Sequence, residues 1–100
     1  MKLYEYAFEK LEVWNKSKEL VKVIYASTDD FPKSEMFGLT QQMRRSSVSV
    51  ASNLAEGSAR RTNKDKAHFT TMAYSSLMEL LNQSIIAMEL GYLKEVNYES

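Results

Sequence analysis

Apolar residues recur at spacings of three and four along most of the chain, which is the pattern of one buried face of an α-helix. The first such pattern predicts a helix over about residues 8–27, with charged residues on the opposite side. The Phe31-Pro32 step follows it, and a residue before proline is disfavoured in helical geometry. The predicted buried stripe consists of Val13, Trp14, Ser17, Leu20, Val21, Ile24 and Tyr25.

A second helical pattern covers about residues 34–56, and its wide apolar face is built mainly from alanine, serine and valine. Ser34 is the predicted N-cap, because its hydroxyl can accept a hydrogen bond from an unpaired amide at the helix start. One glycine falls inside the first turns, and Gly57 is predicted to stop the helix in a left-handed conformation. We expect Asn53 and Glu56 to anchor this end through hydrogen bonds and a salt bridge.

The third pattern predicts a helix over about residues 63–90, with Thr62 as the N-cap of a capping box. Gly91 is the predicted C-terminal cap, and the start of a further helix is predicted after residue 92. Short connections between helices of this length favour antiparallel neighbours. We therefore predict an all-α, antiparallel up-down helical bundle that forms a single domain over residues 1–100.

The composition of the 100 residues excludes several protein classes. With 44% hydrophobic and 26% charged residues, the chain is typical of a folded globular protein. Three glycines and one proline are too few for a strand-and-turn architecture, and the absence of cysteine excludes disulfides and thiolate chemistry. No apolar run of about 18 residues is present and the start lacks a secretory signal, so we expect no membrane contact. The lack of cysteine is compatible with the reducing cytoplasm, where we expect the protein to act.

Basic residues concentrate around the predicted turn between the second and third helices. The whole chain is balanced, with 13 basic and 13 acidic residues, so affinity for a polyanion must come from a local patch. Phosphate oxygens suit such a patch, since arginine donates two parallel hydrogen bonds and lysine supplies compact charge. The alternative is a solvated helix start whose cations pair with Glu56, Asp65 or a neighbouring subunit. The candidate nucleic-acid-binding residues are Arg60, Arg61, Lys64 and Lys66, with Arg45 on the polar side of the second helix as a secondary participant.

The small-residue face of the second helix is a candidate packing or oligomer surface. Alanine and serine there would let the backbone of a partner helix approach closely. Arg44 projects within this face, where its aliphatic stem can cross a helix contact while the guanidinium stays in water. The candidate packing residues are Arg44, Val48, Ala51 and Ala55.

No arrangement of side chains in the sequence indicates catalysis or metal binding. Ser49, Ser52, Asn53 and Glu56 lie close in sequence, but the only histidine is His68 on another helix. Serines on a tight helical face more often pack or bond to their own backbone. One histidine and scattered carboxylates also lack the Glu-x-x-His pairs of di-iron bundles. We therefore expect a protein without catalytic residues, metal, cofactor or small-molecule substrate.

Four ordered segments carry a resemblance to a known family: Leu11–Trp14, Phe37–Arg45, Ser49–Gly57 and Glu89–Leu93. Together they resemble four-helix-bundle proteins encoded in intervening sequences of bacterial 23S ribosomal RNA genes, often labelled S23 ribosomal proteins. The resemblance extends over about residues 8–93. It implies an up-down four-helix bundle and a ring-like homopentamer, in a family with no established enzymatic activity.

The chain departs from the family pattern near its last residues. The family continues past the Gly-Tyr-Leu turn into a full fourth helix, whereas this sequence ends at Ser100. The resemblance therefore implies a bundle whose fourth helix is truncated, or one whose open groove is covered by a partner.

Two hypotheses follow for the function. The first is a non-enzymatic homo-oligomer that binds RNA or DNA through the basic turn. The resemblance supports it, because the related accessory proteins of diversity-generating retroelements act through a basic surface with nucleic acid and a reverse transcriptase. The second is a protein–protein adaptor that recruits a partner such as a polymerase through the small-residue face, without direct contact to nucleic acid.

Overall fold

A computed structural model describes residues 6–94 of the chain. Over these residues the chain is all-helical, as predicted, and contains no strand. Residues 90–94 are not helical, and the rest of the predicted fourth-helix start lies outside the described residues. The three α-helices are α1 (Glu12–Thr28), α2 (Leu39–Ser58) and α3 (Asn63–Glu89), and 3-10 helices at Ala7–Lys10 and Lys33–Glu35 precede α1 and α2.

The middle helix organises the fold. α2 packs against α1 on one side and α3 on the other, while within residues 6–94 the backbones of α1 and α3 do not meet. None of the helices in this range is both long and apolar enough to cross a bilayer. The main cluster of buried apolar residues draws on all three helices and the α1–α2 connection, and consists of Ile24, Phe31, Met43, Leu80 and Ala87.

The start of α1 differs from the prediction. A helix from residue 8 is wrong, because the 3-10 turn at Ala7–Lys10 is followed by an extended Leu11 (φ −76°, ψ 126°) before α1 begins at Glu12. The Asn15 side-chain amide donates to the carbonyls of Glu9 and Leu11, both at 2.9 Å. The bond to Glu9 satisfies a carbonyl that a continuous helix would have paired and so stabilises the break, whereas the Leu11 carbonyl also accepts from the Asn15 backbone amide at 3.1 Å.

The buried side of α1 is narrower than the predicted stripe. Ser17, Ile24 and Thr28 are buried on this helix. By contrast, Val13 is 54% exposed and Tyr25 is 44% exposed. The prediction that both lie in the core is wrong, because α1 has a single helical neighbour among the described residues and one contact covers only part of its apolar arc.

The cap of α2 comes from Glu35 and not from Ser34, which lies in the preceding 3-10 helix. Oε1 of Glu35 accepts a hydrogen bond from the backbone amide of Leu39, the first residue of α2, at 3.2 Å. A Cβ placed on Gly38 would lie 2.7 Å from that Oε1 atom, so the glycine outside the helix leaves room for the cap. The predicted start at residue 34 is therefore wrong.

Glu35 also connects the α1–α2 segment to the residues that follow α3. Its Oε2 accepts a hydrogen bond from the Tyr92 hydroxyl at 3.2 Å. Desolvation, and then the hydrogen bond and negative charge of Glu35, raise the pKa of Tyr92 above its usual value of 10.0. The Tyr92 ring packs against Phe31, with centroids 5.4 Å apart. These contacts close one end of the bundle.

Gly57 does not stop α2, which continues to Ser58. Among the described glycines, only Gly91 has a positive φ. Gly57 is buried, and a Cβ added to it would lie 2.9 Å from the Cβ of Phe69 on α3. The prediction of a left-handed cap is wrong, because this glycine permits a close approach between two helices.

Both ends of α3 follow the sequence signals. The Thr62 hydroxyl accepts a hydrogen bond from the Asp65 amide at 3.1 Å, which confirms the N-cap. Gly91 has φ 80°, which confirms the left-handed turn after the helix.

Besides its buried face, α3 carries an exposed apolar stripe at spacings of four, three and four, formed by Tyr74, Met78, Leu81 and Ile85.

We expect Gly57→Ala to lower the free energy of unfolding by about 1–3 kcal/mol, the usual cost of forcing extra volume into a tight contact. The loss should appear although alanine is favoured over glycine in a helix interior by about 1 kcal/mol. Urea denaturation of both proteins would measure it. Ser52→Ala, at an exposed position of the same helix, is the control. A more stable Gly57→Ala protein would show that α3 does not approach this closely.

Candidate nucleic-acid interface

The turn between α2 and α3 brings the basic residues together. α2 ends at Ser58 and α3 begins at Asn63, so the connection holds Arg60 and Arg61, and the first turn of α3 carries the two lysines. All four cations are exposed. The amides at the start of a helix add positive potential at the same place. The local structure therefore collects the predicted cations at one end of the molecule.

Arg60 is held by contacts within the chain. Its Nη2 lies 3.6 Å from Oε2 of Glu56, one helical turn earlier. Its guanidinium carbon lies 4.4 Å from the centroid of the Phe69 ring, a cation–π geometry. For this residue the structure therefore shows the pairing that the alternative interpretation expected, and Glu56 takes part in the predicted salt bridge.

Arg61, Lys64 and Lys66 have no acidic partner among residues 6–94. The two lysines do not share a direction, because two residues along a helix correspond to about 200° of rotation. Lys66 borders a hollow of about 190 Å³ beside Leu11 and Val13, near the start of α1. The free cations thus surround the turn instead of forming one flat patch.

Arg45 does not join this cluster. It lies on α2 roughly 20 Å from the turn, at about 1.5 Å per residue. There it lines a polar cleft of about 320 Å³ between α2 and α3. The other lining residues are Gln42, Ser46, Ser49, Ser76, Glu79 and Gln83. The sequence interpretation missed this cleft, although polar residues at the α2-facing positions of α3 are a signal that could have indicated it.

A hydrogen-bonded group of small polar side chains includes Ser49 and Ser76, which line the cleft. The hydroxyls of Ser49 and Ser76 lie 2.8 Å apart across the two helices. Asn53 donates to the Ser49 carbonyl at 2.9 Å and to its hydroxyl at 3.1 Å. Asn53 therefore supports the α2–α3 contact inside the helix, and it does not cap the helix end. This polar contact explains why Ser49 of α2 faces another helix.

The predicted packing residues divide into two groups. Arg44 ties α2 to the end of α1, because its Nε donates to Oγ1 of Thr28 at 2.9 Å and its Nη2 donates to the Tyr25 carbonyl at 3.3 Å. Its guanidinium also lies 4.6 Å from the Tyr25 ring centroid. The remaining three, Val48, Ala51 and Ala55, line an apolar groove of about 390 Å³ between α1 and α2, together with Phe8, Trp14, Lys18, Val21, Lys22 and Ser52.

The described residues form no arrangement that resembles a hydrolytic or metal centre. The exposed His68 packs its ring edge-on to Phe69 at 5.4 Å, far along the fold from the Ser49–Ser76 pair. Within residues 6–94, no three His, Asp or Glu side chains converge to form a metal site. The exposed cations at the basic turn are suited to non-covalent binding of anions.

These features define an all-helical protein with a basic turn between its second and third helices. A family model described as 23S rRNA-intervening sequence protein matches residues 9–100. The chain therefore belongs to the family of 23S rRNA-intervening sequence proteins, which confirms the resemblance seen in the sequence. A search of the curated proteins found no match.

The contacts of Arg60 separate it from Arg61. We expect Arg60→Ala to lower the free energy of unfolding by about 0.5–1 kcal/mol, since it removes an exposed cation–π contact and an exposed ion pair. Arg61→Ala should change it by less than about 0.5 kcal/mol, as usual for a surface position. Equal effects of the two substitutions in chemical denaturation would argue against the Phe69 contact.

Proposed function

We propose that this protein binds RNA or DNA through the exposed cations of the α2–α3 turn and carries out no chemistry on it. The observation that carries the proposal is that Arg61, Lys64 and Lys66 lie within six residues and have no acidic partner among the described residues. Arg60 acts mainly as a structural support of the turn. Arg45 is a second point of contact, in the cleft between the helices.

The physical basis of this binding is local electrostatics. A chain with 13 basic and 13 acidic residues has no overall attraction for a polyanion, so the affinity resides in the cations that surround the turn. Phosphate binding at the patch releases counterions from the nucleic acid, which makes the affinity strongly dependent on salt. Acidic residues elsewhere on the surface repel the phosphate backbone and favour binding at the turn.

Self-assembly would strengthen such a weak patch, because each added subunit repeats it and raises the effective concentration of cations. We include a homo-oligomer in the proposal, and the resemblance implies a ring of five. The apolar α1–α2 groove, with Val48, Ala51 and Ala55 on one side and Trp14 on the other, is the surface that supports it. Its two lysines, Lys18 and Lys22, would lie at the rim of that contact.

The proposed bundle also has an apolar surface for a truncated fourth helix or for a partner that covers its place, the two alternatives that the resemblance implies. Tyr74, Met78, Leu81 and Ile85 repeat at the spacing that packs one helix against another. α2 does not cover this stripe, since the buried residues of α3 lie on a different side of the helix. The exposed Val13 and Val23 of α1 provide apolar surface for the same purpose. These surfaces support the bundle that the resemblance implies.

A salt titration tests the nucleic-acid hypothesis. Fluorescence anisotropy with labelled structured RNA and with duplex DNA should give affinities that fall as salt rises. In Arg61→Ala/Lys64→Ala/Lys66→Ala protein, the slope of log affinity against log salt should decrease by about two to three, given about 0.9 per lost phosphate contact on duplex DNA.

The matched control is Lys16→Ala/Lys33→Ala/Lys94→Ala protein, which loses the same charge at exposed positions away from the turn and outside the α1–α2 groove. It should keep the wild-type slope. Equal losses in both triple variants would contradict a local site. Binding that neither variant changes, or no binding to either nucleic acid, would favour the adaptor that recruits a protein partner.

The assembly is tested at the α1–α2 groove. Ala51→Arg/Ala55→Arg should fill the groove with two charged side chains and give a folded monomer, whereas the wild-type protein should sediment as an oligomer at micromolar concentration. Sedimentation velocity measures the mass, and circular dichroism checks that the helices remain. Ser75→Arg, at an exposed site on α3, is the control. A wild-type monomer would contradict the assembly and leave the groove open for a different protein.

A further inference from the structure

We propose that the polar cleft between α2 and α3 binds a guanine base of the nucleic acid. This inference rests on the proposed function, and it adds that the protein prefers nucleic acid with an accessible guanine. Arg45 and Glu79 line the same open cleft of about 320 Å³ and form no ion pair with each other. Two opposite charges that share an open cleft without pairing suit a ligand with hydrogen-bond acceptors on one edge and donors on the next.

Gln83 provides the second observation. The residue is more than nine-tenths buried and lines the cleft. Its Oε1 atom is the only buried side-chain oxygen or nitrogen in the described part of the chain without a hydrogen-bond partner. A buried acceptor without a donor is unfavourable. Since Gln83 lines the cleft, a rotation of its side-chain amide would bring this oxygen to a ligand that donates a hydrogen bond.

Guanine fits this set of groups better than the other bases do. Its O6 and N7 atoms are the acceptors to which arginine donates two parallel hydrogen bonds. Its N1–H and N2–H₂ groups supply three hydrogens, which matches two bonds to the Glu79 carboxylate and one to Gln83. Adenine would place its N1 lone pair against the carboxylate, and cytosine offers only the two hydrogens of one amine. The volume is at the lower end of pockets that hold small ligands, enough for one base and its sugar.

The position of the cleft agrees with a strand that also contacts the basic turn. Arg45, Ser49, Ser52 and Glu56 follow one another along α2 at spacings of four, three and four, so they share one face of the helix. This face leads from the cleft towards Arg60, over roughly 20 Å. A few nucleotides of an extended single strand can span that distance, with phosphates at the turn and one base in the cleft.

Base preference is measured with labelled oligouridylates eight nucleotides long that carry one central guanine, adenine or cytosine. The guanine oligomer should bind about tenfold more tightly than the adenine oligomer, as expected for a good bidentate base contact. Glu79→Gln should remove this preference. The adenine oligomer should bind that variant as well as before or slightly better, because a negative charge is lost.

Gln83→Met removes the buried acceptor with little change of shape. We expect it to reduce the guanine preference and to raise the melting temperature, since an unsatisfied buried group disappears. This opposite change in binding and stability separates loss of a ligand contact from loss of the fold. Glu89→Gln makes the same charge change as Glu79→Gln at an exposed position of α3 away from the cleft, and it should keep the preference.

The outcomes distinguish this inference from the function on which it rests. Salt-dependent binding of all oligomers without base preference, unchanged by Glu79→Gln, overturns the guanine site and leaves the basic-turn proposal intact. If no oligomer binds but free guanosine shifts the NMR amide signals of Ser49, Ser76 and Gln83, the cleft is supported and the basic turn is not. If Glu79→Gln instead changes the sedimentation coefficient, the cleft is a protein contact and the proposal is wrong.

Discussion

The close approach of α3 to the side of α2 that carries Ser49 and Gly57 is the contact on which the other features depend. Gly57 meets the β-carbon of Phe69 with no room for a side chain. Ser46 and Ser47 are buried in the same helix, and the Ser47 hydroxyl donates to the Arg44 carbonyl at 2.8 Å. A serine that bonds to its own backbone needs no partner from the neighbouring helix, so it can be buried at low cost. This packing places the turn, and with it the cations, at one end of the fold.

Aromatic rings decide the role of two arginines. Phe69 holds the guanidinium of Arg60, and Tyr25 holds that of Arg44, in each case with an acidic or hydroxyl group nearby. Both arginines therefore stabilise the link between two helices. Arg61 has no such ring or acid among the described residues and is free for an external anion. The roles of these side chains follow from their neighbours, since the residue type is the same.

Family membership and function remain separate conclusions. The family model covers residues 9–100 and agrees with the helical structure of the described chain. A fold or family alone does not define an activity, which depends on particular side chains and their geometry. Here that geometry consists of unpaired cations at a turn and a polar cleft that holds Arg45, roughly 20 Å away along α2. These two features are the basis of the proposals that phosphates bind at the turn and a base in the cleft.

The sequence by itself determined the number of helices in the described chain and both ends of α3, because Thr62 and Gly91 act through backbone groups a few residues away. It could not reveal the break at Leu11, the Glu35 cap or the contact of Gly57, which depend on side-chain positions that helical periodicity does not encode. Tertiary structure also decided that Arg60 is held by contacts within the chain while Arg61 stays free. The Phe69 ring reaches Arg60 only after α3 folds back. The cleft required both helices, because Arg45 and Glu79 are distant in sequence and share a site only when α2 and α3 pack together.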